Sequence, residues 1–275
     1  MTALSGKRHL AEMTWAEARE AFVRTKLAIV PLGSIEQHGP HLPLGTDWYI
    51  ADHLARMVAD RTDAVVTPTI PVGFAEYHTD FPGSLSVPTP VLHDYIMGIV
   101  RHLLRYGATH FLFINGHGGN LTALNDAMFE LRNMGVPSAT SMWWEVSGLL
   151  NQDWALRGHG DVVETSLALA IRPQDVHLDA ARLPANAPLT ARIGIADSRN
   201  CTFEGGVVKM FLRVADVSAS GDFIEYGHST GADYSTPPGD ATAENGAAIF
   251  EAVASYLARF VEEFLKVSLR PIADR

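Results

Sequence analysis

The chain has 275 residues, of which 47% are hydrophobic, so it can bury a sizeable core as one large domain or two small ones. Its 31 acidic residues outnumber 21 basic ones, and a formal net charge of -10 repels a nucleic-acid backbone, which excludes nucleic acid as a partner. We expect a cytoplasmic protein without membrane contact, because no apolar stretch approaches the roughly 18 residues of a membrane helix and none follows the basic N-terminus. The single cysteine, Cys201, excludes an internal disulfide and leaves 12 histidines and the carboxylates as metal ligands.

Helix and strand patterns alternate from the N-terminus to Pro173. Apolar spacing predicts helices over residues 15–23, 47–58, 89–106 and 120–134, a short helix before Pro173, and strands over residues 27–32, 64–70, 111–114 and 138–143. Thr89 and Pro90 are a typical N-cap and first residue of a helix. This alternation is typical of an α/β fold with a largely parallel sheet and helices on both faces.

The second half of the chain has a less regular pattern. Residues 175–234 are rich in Gly, Ser and Asp with short β-like pieces such as residues 207–214, which we interpret as hairpins or a subunit contact. A closing helix carries apolar residues at helical spacing from Ile249 to Phe264. With no repeat or linker, the sequence predicts a single domain over residues 1–275.

The densest group of polar residues lies between Gly33 and Asp47, in a Gly/Pro-rich loop after a buried strand. Glu36 and His38 are two positions apart, so in extended backbone both side chains project to one side and can bind one cation. Asp47 can return to the same point at the start of the next helix. Few structural needs explain two carboxylates and two histidines in such a loop.

A second group, Asn115 to Asn120, follows the strand at residues 111–114 and opens a helix, where an open sheet presents a ligand site. Its glycines do not match the dinucleotide-binding spacing, and a central histidine suits a metal better than a phosphate. We therefore predict His117 as a metal ligand.

Two further groups have open interpretations. His159 and Glu164 are close enough in sequence to face one point, although Asp161 and Glu164 are equally explained as acids that favour a helix N-terminus. His78, within residues 76–80, belongs either to a site or to an ordinary polar loop.

The run from Pro31 to Asp47, PLGSIEQHGPHLPLGTD, closely resembles the signature of the creatininase (creatinine amidohydrolase) family. Later landmarks of the family have counterparts in the same order, namely FPGSLS from Phe81, NGHGGN from Asn115, His159 with the ETS at Glu164, and AENG from Ala243. The resemblance spans nearly the whole chain. It implies a three-layer α/β/α sandwich, a homo-oligomer that is often a hexamer, and one or two divalent metals such as zinc, manganese or iron.

The resemblance also implies ligands. Glu36, Asp47 and His117 would hold one metal, while His38 and a bridging Asp47 would hold the other. Enzymes that open creatinine carry a glutamate ligand where this chain has Gly119, so we expect Glu164 to replace it, with Asp161 in reserve. This departure argues against creatinine as the substrate. Relatives of this kind include deformylases, a peptidase that trims a redox-peptide precursor, and hydrolases of cyclic keto-sugars.

These observations predict a metal-dependent hydrolase in which a metal-activated water attacks the carbonyl of a cyclic amide or another small molecule. His159 would be the catalytic residue that transfers the proton. The residues expected to bind the substrate are His78, Trp154, Gly118 and Gly119.

Several alternatives stay open at this stage. The substrate could instead be a cyclic keto-sugar, a keto-cyclitol, a lactone or a formamide. The chain could be a metal-binding module without turnover. It could also be a serine hydrolase that uses Ser229, because GHSTG from Gly227 fits the nucleophile-elbow pattern, although that fold places a histidine after the serine and His228 is the last one here.

Overall fold

A four-stranded parallel sheet lies at the centre of the computed structural model, which describes residues 6–156, 158–182, 188–197, 200–224 and 237–272. Its strands are β1 (Leu27–Leu32), β2 (Val65–Val66), β3 (His110–Asn115) and β4 (Ser138–Met142), in the spatial order β2-β1-β3-β4. β1 and β3 are buried along their whole length, which explains their nearly continuous apolar sequences.

Helices cover both faces of the sheet. They are α1 (Trp15–Arg24), α2 (Thr46–Thr62), α3 (Thr89–Arg105), α4 (Leu121–Asn133), α5 (Trp143–Leu150), α6 (Val162–Ile171), α7 (Val214–Val217) and α8 (Ala243–Phe264). Successive side chains of a strand point to opposite faces. Ile29 and Ile114 accordingly pack with α2, α6 and α8, whereas Val30 and Phe113 pack with α1, α3 and α4. The predicted three-layer α/β/α sandwich is confirmed.

The irregular second half contains short antiparallel strands. β5 (Gly158–His159) pairs with β9 (Phe223–Ile224), and β6 (Ile193–Asp197), β7 (Asn200–Phe203) and β8 (Gly206–Lys209) form a three-stranded sheet. The hairpins expected in this region are therefore present. None of the helices formed by the described residues combines the length and apolar character needed to cross a membrane.

Three details of the predicted elements were wrong for identifiable local reasons. The strand expected at residues 64–70 is limited to Val65–Val66, because Pro68 has no N–H to donate and pairing resumes only as a single bridge at Ile70. Thr89 is the first helical residue of α3 and not its N-cap, which is Pro88, since the Pro88 carbonyl already accepts the N–H of Leu92. Trp143 begins α5 instead of ending β4.

The sheet brings the two main polar loops together. Leu32, the last residue of β1, pairs with Asn115, the last residue of β3. The loop that carries Glu36 and the loop that carries His117 therefore leave the sheet side by side, at the carboxyl edge where open α/β sheets bind ligands.

The crossing of α6 and α8 generates a prediction for two helical glycines. A Cβ at Gly246 would lie 2.0 Å from the Ser166 carbonyl oxygen, whereas a Cβ at Gly98 in α3 would meet nothing within 4 Å. We expect Gly246→Ala to lower the free energy of unfolding by about 1–3 kcal/mol through overpacking. Gly98→Ala should raise it by about 0.5–1 kcal/mol through reduced chain entropy. Urea denaturation of both variants measures these changes, and equal effects would contradict the proposed close approach.

Candidate metal centre

Two glycines allow the first turn of α2 to lie against the ends of β1 and β3. A Cβ at Gly33 would lie 2.3 Å from the Trp48 Cα atom, and one at Gly116 would lie 2.3 Å from the Asp47 carbonyl oxygen. Asp47 is the second residue of α2 and is buried. The close approach places its carboxylate between the loop after β1 and the loop after β3.

Glu36, Asp47 and His117 form a first group of possible metal ligands. Nδ1 of His117 lies 3.0 Å from Oε2 of Glu36 and 3.3 Å from Oδ2 of Asp47. Both oxygens are buried, yet they accept no hydrogen bond with acceptable geometry from any described residue. Nε2 of His117 donates to the Phe74 carbonyl at 2.9 Å, so in the neutral ring Nδ1 presents a lone pair to the two carboxylates. Three lone-pair donors facing one point fit a divalent cation.

His38, Asp47 and Glu164 form a second group. Nδ1 of His38 lies 3.1 Å from the Glu36 carbonyl oxygen, to which it donates, and Nε2 lies 2.9 Å from Oδ1 of Asp47. Glu164 is buried, and its Oε2 accepts the N–H of Gly160 at 2.6 Å. Because Asp47 belongs to both groups, with one oxygen facing each, it is placed to bridge two cations.

The electrostatics of these groups favour positive charge. Burial lowers the pKa of His38, but Asp47, together with Glu164 and Glu36, outweighs burial and raises it to about 10. Burial also lowers the pKa of His117, while Glu36 holds it well above its usual value. Burial raises the pKa of Glu164 well above its usual value. A negative potential that stabilises an imidazolium will also attract a metal ion.

His159 and His78 complete the cluster. His159 donates from Nε2 to the Gln37 carbonyl, and Nε2 lies 4.0 Å from Oε1 of Glu36. Its ring centroid is 4.2 Å from that of His38 and 4.5 Å from that of His78. Burial, and next the charge of His38, hold the pKa of His159 well below its usual value. Glu36, His38 and His159 form a third possible ligand group, so a ligand role and a proton-transfer role for His159 are both open.

The structure brings most of the predicted site residues together. Glu36, His38, Asp47, His78, His117, His159 and Glu164 are all buried in this one cluster, and Gly118 and Gly119 follow His117 in a 3-10 turn. Trp154 lies elsewhere: its indole N–H donates to Asn245 Oδ1 at 2.9 Å and its ring packs against the core beneath α8.

Asp161, the reserve ligand, caps a helix. Its Oδ1 accepts the backbone N–H groups of Val163 and Glu164 at 2.9 and 3.0 Å, at the N-terminus of α6. The explanation as a helix-terminal acid therefore fits Asp161, whereas the carboxylate of Glu164 reaches the cluster.

Gly119 has no room for a side chain. A Cβ at this position would lie 2.0 Å from the Phe74 carbonyl oxygen and 2.4 Å from Nε2 of His117. The glutamate that creatinine-opening enzymes have here could not be accommodated by this backbone. The space is occupied by the carbonyl that orients His117.

Three contacts of the site were not predicted. Gln37 donates from its side chain to His78 and uses its carbonyl to hold His159, and the Phe74 carbonyl holds His117. The position of Gln37 between Glu36 and His38 could have indicated a role in the site. The contact of the Phe74 carbonyl could not have been predicted, because every residue has a backbone carbonyl.

The sequence profile of the creatininase family, described as creatinine amidohydrolase, matches residues 11–261. The chain belongs to the creatininase family. This membership, together with the buried His/Glu/Asp groups, identifies a metal-dependent hydrolase and confirms that prediction. The serine-hydrolase alternative is not favoured, and Ser229 lies outside the described residues.

Relatives with several activities are similar to this creatininase-family chain. A mycofactocin precursor peptide peptidase from Mycolicibacterium smegmatis is 36% identical over 62% of this chain and 68% of its own length. A creatinine amidohydrolase from Pseudomonas putida is 31% identical over 62% of this chain and 74% of its own. The solved structure of a mutant creatininase of Zn-Zn type is 25% identical, with a TM-score of 0.71 over 96% of this chain and 100% of that one.

His41 is buried beside the cluster and generates a prediction for pH dependence. Its Nε2 donates to Oγ1 of Thr165 at 3.0 Å, and burial lowers its pKa from 6.5 to about 4. Between these pH values the unfolded chain binds a proton that the folded chain does not, so the free energy of unfolding falls as the pH drops.

We expect metal-free wild type to lose about 2 kcal/mol more than His41→Gln between pH 7 and pH 5. Urea denaturation in the presence of a chelator measures this difference without a contribution from metal release. Identical pH dependence in the two proteins would show that His41 is not held neutral by burial.

Proposed function

We propose that this protein hydrolyses an amide C–N bond of a small molecule other than creatinine, at a two-metal site. One cation would be held by Glu36, Asp47 and His117, and the other by His38, Asp47 and Glu164. The observation that carries the proposal is the pair of buried oxygens, Glu36 Oε2 and Asp47 Oδ2, which converge on Nδ1 of His117 without a hydrogen bond of acceptable geometry within the described part of the chain. Buried carboxylate oxygens require a positive partner. A divalent cation bound by the neutral ring of His117 would supply one, in place of the protonated ring that the raised pKa of His117 indicates for the metal-free site.

The names of two relatives support an amide as the bond that is hydrolysed. "Peptidase" and "amidohydrolase" both denote hydrolysis of an amide bond, although the two substrates differ in size. Creatinine itself is disfavoured because Gly119 leaves no space for the glutamate of creatinine-opening enzymes. We propose zinc or manganese as the native metal, with iron as a further candidate, because histidine and carboxylate ligands suit these ions.

The residues of the chain have separate tasks in this mechanism. A divalent cation held by the cluster supplies Lewis-acid activation of a water molecule and of the substrate carbonyl. Glu36, Asp47 and Glu164 provide the negative charge that retains it. His159, buried in the same cluster, would take up a proton from the attacking water and return it to the leaving nitrogen.

The substrate would approach beside His117, where Gly118 and Gly119 are half-buried. Their backbone would line the pocket. His78 forms the inner wall, since it is buried between Glu36 and Gln37. A role for Trp154 would require the substrate to reach the edge of the core beneath α8.

We further propose one catalytic domain over residues 1–275, assembled as a homo-oligomer such as a hexamer and acting in the cytoplasm. The hairpin of β7 and β8 and the residues after it support self-association, because they expose Phe203, Val207, Val208, Met210 and Phe211. Cys201 is buried and free, which is compatible with a reducing compartment.

The metal site is tested by elemental analysis of purified protein. We expect wild type to contain divalent metal, and Glu36→Ala or His117→Ala to lose most of it because each removes a ligand. Even changes that only disturb a ligand weaken metal binding roughly 10 to 100-fold. His102→Ala, an exposed histidine on α3, is the matched control and should keep the wild-type content. Stoichiometric metal in both ligand variants would refute the assignment.

Glu164 and Asp161 give a second test of the same site. We expect Glu164→Gln to lower the metal count from two to one per chain and to reduce turnover. Asp161→Asn should keep both metals, because asparagine also caps a helix. If Glu164→Gln retains two metals and full activity, the second group does not bind a cation and a single-metal mechanism becomes the better explanation.

The reaction is tested by screening metal-loaded protein against cyclic amides, formamides, short peptides, lactones and keto-cyclitols. We expect hydrolysis of an amide that a chelator abolishes and added metal restores, which a serine hydrolase would not show. His159→Ala should keep its metal but turn over roughly 100 to 10,000-fold more slowly. Loss of metal in that variant would identify His159 as a ligand instead.

A further inference from the structure

The contacts of Gln37 define which way its side-chain amide points. Gln37 is buried, and its Oε1 accepts the backbone N–H of Gly39 at 3.0 Å. Its Nε2 donates to the Gly221 carbonyl at 2.9 Å. A backbone N–H can only donate and a carbonyl can only accept, so the reversed amide would face two unfavourable contacts. The orientation of Gln37 is therefore determined by the backbone around it.

The oriented amide in turn determines the tautomer of His78. Nε2 of Gln37 lies 2.8 Å from Nδ1 of His78. An amide nitrogen is only a donor, so Nδ1 of His78 must be an acceptor, and the proton of the neutral ring lies on Nε2. That Nε2 is 3.2 Å from Oε1 of Glu36. The N–H of His78 consequently faces one oxygen of Glu36 across this 3.2 Å contact.

The two oxygens of Glu36 are thereby made different. Oε1 faces the N–H of His78 at 3.2 Å, whereas Oε2 faces Nδ1 of His117 at 3.0 Å, an atom that presents a lone pair when the ring is neutral. A carboxylate held at one oxygen cannot rotate freely, and its other oxygen keeps its lone pairs for a cation.

We propose that Gln37 is a positioning residue that fixes the Nε2–H tautomer of His78, so that His78 holds Glu36 with Oε2 facing the metal. The part of this inference that concerns the metal rests on the proposed function. It assigns to His78 the task of orienting a ligand, beyond the pocket wall expected from sequence. Hydrogen bonds to ligating carboxylates commonly tune metal affinity in this way.

The loop at Gly221 is built around the same amide. Gly221 has a φ of 91°, and a Cβ there would lie 1.8 Å from Oε1 of Gln37. Only glycine accepts both this backbone and this proximity.

A purely structural role, in which Gln37 merely ties the loop at Gly221 to the loop after β1, is the competing explanation, and it predicts no effect on the tautomer of His78.

The tautomer is measured by two-bond ¹H–¹⁵N NMR of metal-free protein labelled at histidine. The signals of His78 are identified by their loss in His78→Gln. We expect wild type to show Nδ1 of His78 as the unprotonated nitrogen, and Gln37→Met, which has similar size but no donor, to show a mixture of tautomers. A proton on Nδ1 in wild type, or an unchanged tautomer in Gln37→Met, would overturn the inference. Because no metal is present, this measurement does not depend on the proposed function.

Metal affinity, measured by competition with a chelator for Zn²⁺ or Mn²⁺, tests the consequence. We expect His78→Phe, which keeps a ring but has no donor, to weaken binding roughly 10 to 100-fold, and His78→Gln, whose amide can donate, to restore most of it. This pair does not require the Gln37 variant to fold. Equal losses in both would contradict the role of the hydrogen bond.

A double-mutant comparison separates positioning from structure. Gln37→Met should weaken binding about 10-fold in the wild-type background and much less in the His78→Gln background, where no tautomer needs to be fixed. The exposed Gln174→Met is the matched control and should bind as wild type does. The same loss in both backgrounds would mean that Gln37 acts only on the fold. Absence of metal binding by wild type would refute the proposed function but leave the tautomer result standing.

Discussion

The burial of Asp47 between His38 and His117 is the constraint on which the site depends. Its Oδ1 lies 2.9 Å from Nε2 of His38 and its Oδ2 lies 3.3 Å from Nδ1 of His117. Burial penalises this carboxylate, but His38 holds its pKa below the usual range, and the N-terminal turn of α2 adds a favourable dipole. Gly33 and Gly116 permit the turn to lie on the strand ends. A side chain at either glycine would move α2 and separate the two ligand groups.

The cluster buries carboxylates that need positive charge close by. Glu36 Oε2 and Asp47 Oδ2 have no hydrogen bond of acceptable geometry among the residues that the structure describes, and both face Nδ1 of His117, whose pKa is held well above its usual value. The rise in the pKa of His38 to about 10 shows that the surrounding field attracts positive charge strongly enough to overcome burial. The packing of the sheet and the two layers of helices offsets the cost of burying these charged side chains. Such costly burial is expected at a functional site.

In the proposed two-metal site, Glu164 would supply the carboxylate that creatinine-opening enzymes carry at the position of Gly119. Here the space at Gly119 is filled by the Phe74 carbonyl, which holds His117, and Glu164 reaches the cluster from α6 instead. Asp161 caps that helix and so fixes the position of its first turn. The surface beside His117 is consequently glycine backbone and not a charged side chain. The proposed change of ligand would therefore also change the wall that a substrate meets.

The sequence by itself determined the order of helices and strands, because apolar periodicity and turn residues are local properties. It also indicated Glu36, His38, Asp47 and His117, since the loops after neighbouring parallel strands must meet at one edge. Tertiary structure alone decided which atoms face each other. Only the folded structure shows that His78 is buried against Gln37, that the Phe74 carbonyl accepts the N–H of His117, and that Asp161 caps a helix. The same is true of the hydrogen bond between Trp154 and Asn245. These contacts join loops that are far apart in the chain, and their geometry follows from packing, which no local pattern encodes.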